Sequence, residues 1–370
     1  MAPMADVTDV AFRALVAARG APDVFWTEFV SADGLYHTRE IQKMKDSENP
    51  LMRDLSFDKS ERPIVAQIFS SKPEMIAYAA KLAAELGFDG VDINMGCPDR
   101  AIERQGCGAA MIKNPTLAAE IIRAAKEASG LPVSVKTRIG YNKESLDEWL
   151  TALLEAEPAA ITLHLRTRKE MSLVPADWEQ MKKAVALRDR VNPNVLLIGN
   201  GDVQNLEDGR AKVAEALCEG AMLGRAMFGN PWVFSGLAHA KRGCKSENPA
   251  PSLPRDAHSS NKKDEVSSPV AAQSRNRPNE CECAAGKMSC NDGAGVPAYT
   301  PTLQEKLAAL IELARGFEKI SPPKNFAILK KHIKAFVTGF DGAADLRAHL
   351  MQAESAAELE AAIAERAPRE

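Results

Sequence analysis

The chain has 370 residues, a hydrophobic fraction of 45% and a formal net charge of −3 at pH 7. This length suits one large domain with an attachment, or two ordinary domains, and the apolar fraction allows a sizeable core. The acidic balance argues against a chain held to nucleic acid by its bulk charge, although it leaves room for a local basic patch.

Seven cysteines are present. Their odd number and the wide scatter of the first four argue against a disulfide framework. Reduced thiols in a cytosolic protein are the simpler interpretation, so we expect a cytoplasmic location. The N-terminus has no basic stretch followed by an apolar one, so no signal peptide is expected. No uncharged apolar run approaches the ~18 residues that a membrane span needs, and no membrane partner is expected.

In the first 235 residues, short apolar runs alternate with amphipathic stretches, which is typical of a parallel α/β fold. The runs are rich in Val, Ile, Leu and Phe, as expected of strands that are buried on both faces. Strands are predicted at residues 24–29, 63–69, 90–94, 133–137, 160–165, 195–199 and 221–223. Helices are predicted at residues 8–19, 74–86, 116–129, 146–156, 178–188 and 209–219, with Gly87, Gly130 and Gly220 as stops.

Seven strand–helix units predict an eight-stranded (β/α)8 TIM barrel over residues 1–240. An eighth strand would have to precede the helix at residues 8–19, where only Met-Ala-Pro-Met is left. We therefore expect the first strand of the barrel to be clipped. A doubly wound open sheet is the alternative, but no Gly-x-Gly-x-x-Gly follows an early strand.

Residues 241–300 break the alternation. They are polar and rich in Pro, Ser and Asn, so a low-complexity, disordered insert is expected. Cys281, Cys283 and Cys290 could suggest a metal site there, but no second pair at ligand spacing accompanies them, so no metal is expected. Helical periodicity returns at residues 303–317, 324–338 and 343–366, which predicts a small helical domain over residues 301–370.

Polar side chains follow nearly every predicted strand. In a barrel, the C-terminal strand ends meet at one mouth and carry the working residues. A single one of these residues would be an ordinary solvated loop residue, whereas a ring of them predicts a site. In chain order the strand ends hold Glu28, Gln67, Asn94, Cys97, Lys136, Arg138, His164, Arg166, Arg168, Asn200, Asp202, Gly224 and Arg225.

Two glycine turns follow the last two strands. They are Gly-Asn-Gly-Asp at residues 199–202 and Gly224-Arg225. Backbone N–H groups beside glycine can approach a phosphate, and Arg225 could add charge-assisted hydrogen bonds. Tight turns that need glycine for a positive φ are the alternative. The phosphate of flavin mononucleotide (FMN) would fit this place.

Lys136 and Gln67 would then face the flavin ring, where a lysine stabilises the negative charge of a reduced flavin. Cys97 would lie opposite, and a thiol with a pKa near ~8.5 stays mostly protonated at neutral pH and can donate a proton. A small buried apolar residue is the alternative for Cys97, but its place beyond a strand end and before a proline argues against full burial. Cys107 is expected to serve packing.

Several motifs, taken in order, resemble those of a known family, the tRNA-dihydrouridine synthases. The resemblance covers residues 1–236, omits the insert and resumes in the C-terminal helices at Lys331-His332 and Gly339-Phe340. The motifs are Ala-Pro-Met at residues 2–4, Asp-Ile-Asn-Met-Gly-Cys-Pro at 92–98, Gly-x-Gly-Ala at 106–109, Lys-Thr-Arg at 136–138, His-x-Arg-Thr-Arg at 164–168, Gly-Asn-Gly-Asp at 199–202 and Gly-Arg at 224–225.

This resemblance implies an FMN-dependent enzyme that reduces the C5–C6 double bond of a uridine in tRNA, with NADPH as the electron source. It implies that Cys97 protonates C5 of the base and that Asn94 helps to hold it. Arg166 and Arg168 are implied to meet the RNA or its target base. Contacts to FMN are implied for Ala2, Pro3, Met4, Gln67, Lys136, His164, Asn200, Gly201, Asp202, Gly224 and Arg225.

The helical domain at residues 301–370 is predicted to bind tRNA, because its segment 324–347 carries a net charge of +3. Lys330, Lys331 and Lys334 share one face of the helix predicted at residues 324–338, so a basic patch is expected there, while an ordinary solvated face is the alternative. We expect a monomer. Two other interpretations stay open: an FMN barrel that acts on free pyrimidines, and an RNA-binding relic that no longer holds flavin.

Overall fold

The computed structural model describes residues 1–236 and 299–367. Nearly all of the predicted insert, with Cys281, Cys283 and Cys290, lies outside the described residues. The described part consists of a parallel sheet with alternating helices, followed by a group of C-terminal helices. It therefore has the TIM-barrel-like architecture and the helical C-terminal region that the sequence predicts.

Eight parallel strand segments form one sheet. The strands are β1 (Phe25–Trp26), β2 (Val30–Ser31), β3 (Ile64–Phe69), β4 (Gly90–Met95), β5 (Val133–Arg138), β6 (Ala160–His164), β7 (Leu196–Asn200) and β8 (Gly220–Met222). From β3 onward each strand pairs with the next one in the chain, whereas β1 and β2 both pair with β3. The first two segments thus share one strand position, and the sheet has seven.

The prediction of one continuous strand at residues 24–29 is therefore wrong. The ladder breaks at Thr27, whose Oγ1 accepts the hydrogen bond of the Gln67 backbone N–H at 3.0 Å. Glu28 follows and turns its side chain to Lys324 of the C-terminal region, 2.6 Å away. The Thr27 N–H still donates to the Val65 carbonyl at 3.0 Å. Beyond it the side-chain bond and the ion pair interrupt the strand, so two short segments form in place of one.

The first four residues connect the two ends of the sheet. The Met1 amino group donates to the Val24 carbonyl at 3.1 Å, and the Ala2 N–H donates to the Leu223 carbonyl at 2.7 Å. No strand is assigned to these residues. A cavity of about 530 Å³ lies beside them between β1 and β8.

The helices that cover the sheet are α1 (Val10–Arg19), α2 (Ala32–Tyr36), α3 (Pro50–Asp54), α4 (Pro73–Glu85), α5 (Arg100–Glu103), α6 (Pro115–Ser129), α7 (Leu146–Glu155), α8 (Glu179–Val191) and α9 (Leu206–Ala216). One π-helical turn spans His37–Ile41, and 3-10 turns span Asp46–Glu48, Lys59–Glu61, Gly108–Lys113 and Arg225–Met227. The six predicted helices are confirmed to within about three residues at each end, whereas α2, α3 and α5 were not predicted.

Helix α6 shows how the sequence sets these boundaries. The Asn114 side chain accepts from the Leu117 N–H, Pro115 opens the first turn, and Gly130 ends the helix in the left-handed region. Its buried face carries Ile121 and Ile122 among alanines, so small and branched residues let it pack closely. Gly220, predicted as a helix stop, instead opens β8.

The C-terminal helices are α10 (Leu303–Glu318), α11 (Lys330–Phe336), α12 (Ala343–Leu350) and α13 (Ala356–Arg366), with a 3-10 turn at Phe326–Leu329. Helix α10 packs on α1 of the barrel. The single helix predicted at residues 343–366 is wrong, because Ser355 accepts from the Glu358 N–H and caps a new helix. The helix predicted at residues 324–338 is shorter, since its first part forms the 3-10 turn.

Candidate active site

The C-terminal ends of the strands form one mouth, as predicted. The ladders place Asn94 beside Lys136 and His164 beside Asn200. They line a cavity of about 490 Å³, a size typical of small-molecule sites. The predicted site residues that line it are Ala2, Pro3, Met4, Gln67, Asn94, Cys97, Lys136, His164, Arg166, Asn200, Gly201, Asp202, Gly224 and Arg225.

Lys136 is one of the cations that line this cavity, and it is half-buried. Its Nζ donates to Asn200 Oδ1 at 3.1 Å, and Asn200 Nδ2 donates to the Met222 carbonyl at 2.8 Å, which fixes the amide. Burial, aided by the nearby Arg138, lowers the Lys136 pKa to about 8. In the described part of the chain no carboxylate forms an ion pair with this ammonium. The geometry thus favours an anionic or carbonyl-bearing ligand at Lys136.

Asp202 collects the positive charge at the rim. Its carboxylate accepts from Arg166 and Arg225 and, at 2.8 Å, from the Ala176 N–H. The pKa of Asp202 lies well below its usual range, and the hydrogen bond from Arg166 is the largest cause. Arg225 is 68% exposed, so it keeps free N–H groups for a further anion although one of its bonds goes to Asp202.

His164 is neutral in this environment. Burial and the charges of Lys136 and Arg138 hold its pKa far below the ordinary value. Arg166 Nη1 lies 3.1 Å from His164 Nε2. Because a guanidinium can only donate, Nε2 is the acceptor and the ring proton is on Nδ1. His164 therefore offers the cavity a neutral N–H donor.

The two glycine turns differ in what they require. A Cβ on Gly201, whose φ is +128°, would lie 2.7 Å from the Ala176 Cβ, so close packing and a positive φ account for this glycine. At Gly224 a Cβ would meet Ala2 and Met4 only at ordinary contact distance. The tight-turn interpretation therefore holds at Gly201, whereas Gly224 fits a close approach of the backbone to a ligand.

Cys97 lies in the loop after β4 and is half-buried, so the expectation that it is not fully buried is met. Its N–H donates to Asn94 Oδ1 at 3.0 Å, and its carbonyl accepts from the Ala109 N–H at 2.9 Å. Gly108 has a φ of +60°, and a Cβ there would be 2.6 Å from the Cys97 oxygen. Burial raises the thiol pKa, so Cys97 is protonated at neutral pH and suits proton donation.

No role was predicted from the sequence for two residues that line the cavity and for one residue that lies beneath it. Arg138 lines the cavity and donates to the carbonyls of Gly96 at 2.8 Å and Thr167 at 3.1 Å. Phe29 also lines the cavity. Asp92, fully buried, lies beneath it on β4. The sequence held a signal for two of them. Arg138 is one of the predicted strand-end residues, and Asp92 precedes Asn94 by two residues, which places both on the same face of the strand.

Four predicted RNA-contacting residues lie outside the cavity lining. Arg168 pairs with Glu103, with Nε 2.9 Å from Oε1. Lys330, Lys331 and Lys334 lie on α11; Lys330 is half-buried and the other two are exposed. Lys331 pairs with an exposed barrel carboxylate 2.8 Å away. Their role toward RNA stays a prediction.

Two further observations concern the described residues alone. Within residues 1–236 and 299–367, no helix is long and apolar enough to cross a membrane. In the same ranges, no group of three or more His, Cys, Asp and Glu side chains could hold a metal ion.

Comparisons with known proteins agree with the sequence motifs. The profile of the family described as "Dihydrouridine synthase (Dus)" matches residues 1–276. The "Probable tRNA-dihydrouridine synthase 2" of Bacillus subtilis (strain 168) is 45% identical over 235 residues, or 63% of this chain and 70% of that protein. The "Probable tRNA-dihydrouridine synthase" of Staphylococcus aureus (strain COL) is 42% identical over 235 residues, which cover 63% of this chain and 69% of that protein. Among solved structures, a 2-naphthoyl-CoA reductase complex has a TM-score of 0.48 at 9% identity, covering 62% of this chain and 46% of that chain.

Proposed function

This chain belongs to the dihydrouridine synthase family of enzymes, and we propose that it reduces the C5–C6 double bond of uridines in tRNA, with FMN as its cofactor and NADPH as reductant. The observation that carries the proposal is the half-buried Cys97 thiol at the mouth of a donor-rich cavity that also contains the cation Lys136, whose pKa is lowered to about 8.

The residues of the cavity fit an FMN. Lys136 has no carboxylate partner in the described ranges, and its charge would be compensated by the electron-rich pyrimidine edge of a flavin. Gly224 leaves the backbone accessible, and Arg225 keeps free N–H groups for a phosphate. His164 adds a neutral donor. FMN bound here would supply the hydride that the uracil C6 atom receives, after taking it from NADPH.

The side chains of the protein supply the proton that completes the addition. Addition of hydride to C6 places negative charge on the C4 carbonyl, and a proton must reach C5. Cys97 is the protonated acid at the mouth, and its Sγ–H bond breaks as the C5–H bond forms. Lys136 and Arg138 lie close enough to favour the resulting thiolate. Asn94 and Arg166 line the same cavity and would hold the base.

The target base must leave its stack to reach a cavity at the mouth of a barrel. Arg166 is buried and held by Asp202 and by the Val174 carbonyl at 2.6 Å, so it is already ordered before a substrate binds. Arg168 and the lysines of α11 would contact the remainder of the RNA. None of these four residues lines the cavity, so we assign them to affinity rather than to the chemical step.

The first experiment compares the purified wild-type protein with Cys97→Ala and with Cys107→Ala as the matched control, since Cys107 is buried against Phe69 and Ile102. All three should show a flavin absorbance spectrum. Given NADPH and unmodified tRNA, the wild type and Cys107→Ala should form dihydrouridine, while Cys97→Ala should be about 100-fold slower or worse.

Three results would contradict the proposal. A colourless wild-type protein would exclude FMN as a resident cofactor. Equal rates in the wild type and Cys97→Ala would exclude the thiol as the acid. Reduction of free uracil without any reduction of tRNA would support a free-pyrimidine reductase instead. Replacing NADPH with NADH in the same assay identifies the reductant.

A further inference from the structure

A chain of hydrogen bonds connects the floor of the cavity to Cys97. Asp92 is fully buried, and its Oδ2 accepts from Gln67 Nε2 at 2.7 Å. Gln67 Oε1 accepts from Asn94 Nδ2 at 3.3 Å. Asn94 Oδ1 in turn accepts from the Cys97 backbone N–H at 3.0 Å. Two amide side chains thus connect a carboxylate that does not line the cavity to the loop that holds the thiol.

These bonds fix the orientation of both amides. Gln67 turns its NH2 group to Asp92, which leaves its carbonyl oxygen for Asn94. The backbone N–H groups of Gly96 and Cys97 hold the Asn94 oxygen, so the Asn94 NH2 group faces Gln67. Flipping either amide would bring like groups together in a buried site, which is unfavourable.

The arrangement leaves one N–H of Asn94 without a protein partner among the described residues, at a residue that lines the cavity. A fixed donor is complementary to a carbonyl oxygen of the substrate. Uracil carries two such oxygens, at C2 and C4, whereas cytosine carries an amino group at C4. Negative charge also develops on O4 during the addition, so a donor there would bind the transition state more strongly than the ground state.

We propose that Asp92 is a positioning residue for the reduction of uridine: through Gln67 and Asn94 it holds the Cys97 loop and directs an N–H donor at the base. This inference rests on the proposed function. Asp92 does not line the cavity. Besides its connection through the two amides, its charge interacts with Lys136, and the Asp92→Asn variant below separates the two effects.

Ser134 provides the matched control. Its hydroxyl donates to the other oxygen of Asp92, Oδ1, at 2.5 Å, and it is itself buried. Ser134→Ala therefore disturbs the same buried carboxylate but leaves the connection to Gln67 in place. If the carboxylate served only the stability of the barrel, variants at Asp92 and Ser134 would affect the reaction in the same way.

The first test measures kcat and KM for dihydrouridine formation in tRNA. Asp92→Ala should lower kcat about 100-fold, the effect of a displaced catalytic group. The KM for tRNA should change little, because phosphate contacts dominate the affinity. Asp92→Asn can still accept from Gln67 and donate to Ser134, so it should keep kcat within about fivefold of the wild type. Ser134→Ala should also stay near the wild type.

The second test needs neither flavin nor tRNA. Cys97 is alkylated with iodoacetamide, and peptide mass spectrometry follows that cysteine alone. Asp92→Ala frees the Cys97 loop and should speed its alkylation about fivefold, the factor given by the loss of one ordinary hydrogen bond. Ser134→Ala and Asp92→Asn should react like the wild type. If the wild type makes no dihydrouridine but this order of rates appears, the proposed function fails while the positioning of Cys97 stands.

Two outcomes would overturn the inference. One is an equal loss of kcat in Asp92→Ala and Ser134→Ala. The other is an Asp92→Asn variant as slow as Asp92→Ala, which would show that the charge and not the hydrogen-bonded chain matters. If Asp92→Ala does not fold, Asp92→Leu, which has the same number of heavy side-chain atoms but no acceptor, replaces it under the same expectations.

Discussion

The half-buried ammonium of Lys136 combines a partner amide with a pKa that is lowered to about 8. Below about pH 8 the ligand-free protein already carries this charge, and ligand binding takes up no proton. Above that pH the free protein has lost a proton that an anionic ligand would restore. The affinity for such a ligand must then fall as the pH rises.

This reasoning predicts the pH dependence of FMN binding to protein from which flavin has been removed. The affinity should be nearly constant from pH 7 to 8 and then fall by up to about tenfold for each further pH unit. Calorimetric titration at several pH values checks the prediction. Lys136→Arg, which keeps its charge throughout this range, should bind with little pH dependence. A wild-type affinity that stays level to pH 9.5 would contradict the assignment of Lys136.

At the same scale, the sequence predicted which residues meet at the mouth, because parallel strands place their ends on one side. It did not predict what each side chain does there. The pairing of Arg168 with Glu103 and of Arg225 with Asp202 depends on chain segments that only the fold brings together. Asp92 shares a strand face with Asn94, but the two donors that hold its carboxylate, Gln67 and Ser134, come from neighbouring strands that only the fold brings together.

Between elements, Lys324 is the principal polar contact of the C-terminal region with the barrel. Its side chain is 5% exposed and lies 2.6 Å from Glu28 Oε2 and 3.5 Å from Asp54 Oδ1. Asp9 is buried nearby, and its charge interacts with Lys324. Burial raises the pKa of both Glu28 and Asp9, so these carboxyl groups depend on the one ammonium.

Lys324→Met should therefore lower the free energy of unfolding by about 3–5 kcal/mol, because it leaves buried carboxylates without their counter-charge. Lys331→Met is the control: the Lys331–Asp6 pair also joins the two regions, but both side chains are 49% exposed. Its cost should be about 1 kcal/mol or less. Urea unfolding of both variants measures the difference, and equal costs would refute the central role of Lys324.

Element positions were predictable where burial is continuous. Strands β3 to β7 begin and end within one residue of the predicted positions, since apolar runs buried on both faces leave a clear pattern. The short helices α2 and α3 escaped prediction because five residues cannot show a helical period. The break at residues 351–355 depends on the Ser355 cap, a weak signal inside a sequence rich in helix formers.

For the whole molecule, the basic face of α11 is the predicted tRNA surface. Lys330→Ala/Lys331→Ala/Lys334→Ala should reduce the salt dependence of tRNA binding by a slope of about 2–3, the value for three lost phosphate contacts. Filter binding between 50 and 200 mM salt, about the range over which such contacts dominate, measures this slope. Lys45→Ala/Lys81→Ala/Lys182→Ala, at exposed positions on the barrel, is the charge-matched control. If both triple variants bind alike, α11 is not the RNA surface.

The contacts between the barrel and the C-terminal helices bear on whether the two parts need to be joined in one chain. Besides Lys324 with Glu28, the ring of His332 packs 5.0 Å from that of Phe12, and Arg53 donates to the Pro322 carbonyl at 3.3 Å. These bonds do not require that residues 237–298 connect the two parts. Without the connection the association becomes bimolecular, so it depends on the fragment concentration. Two separately synthesised fragments, 1–236 and 299–370, should therefore associate into a 1:1 complex when they are mixed.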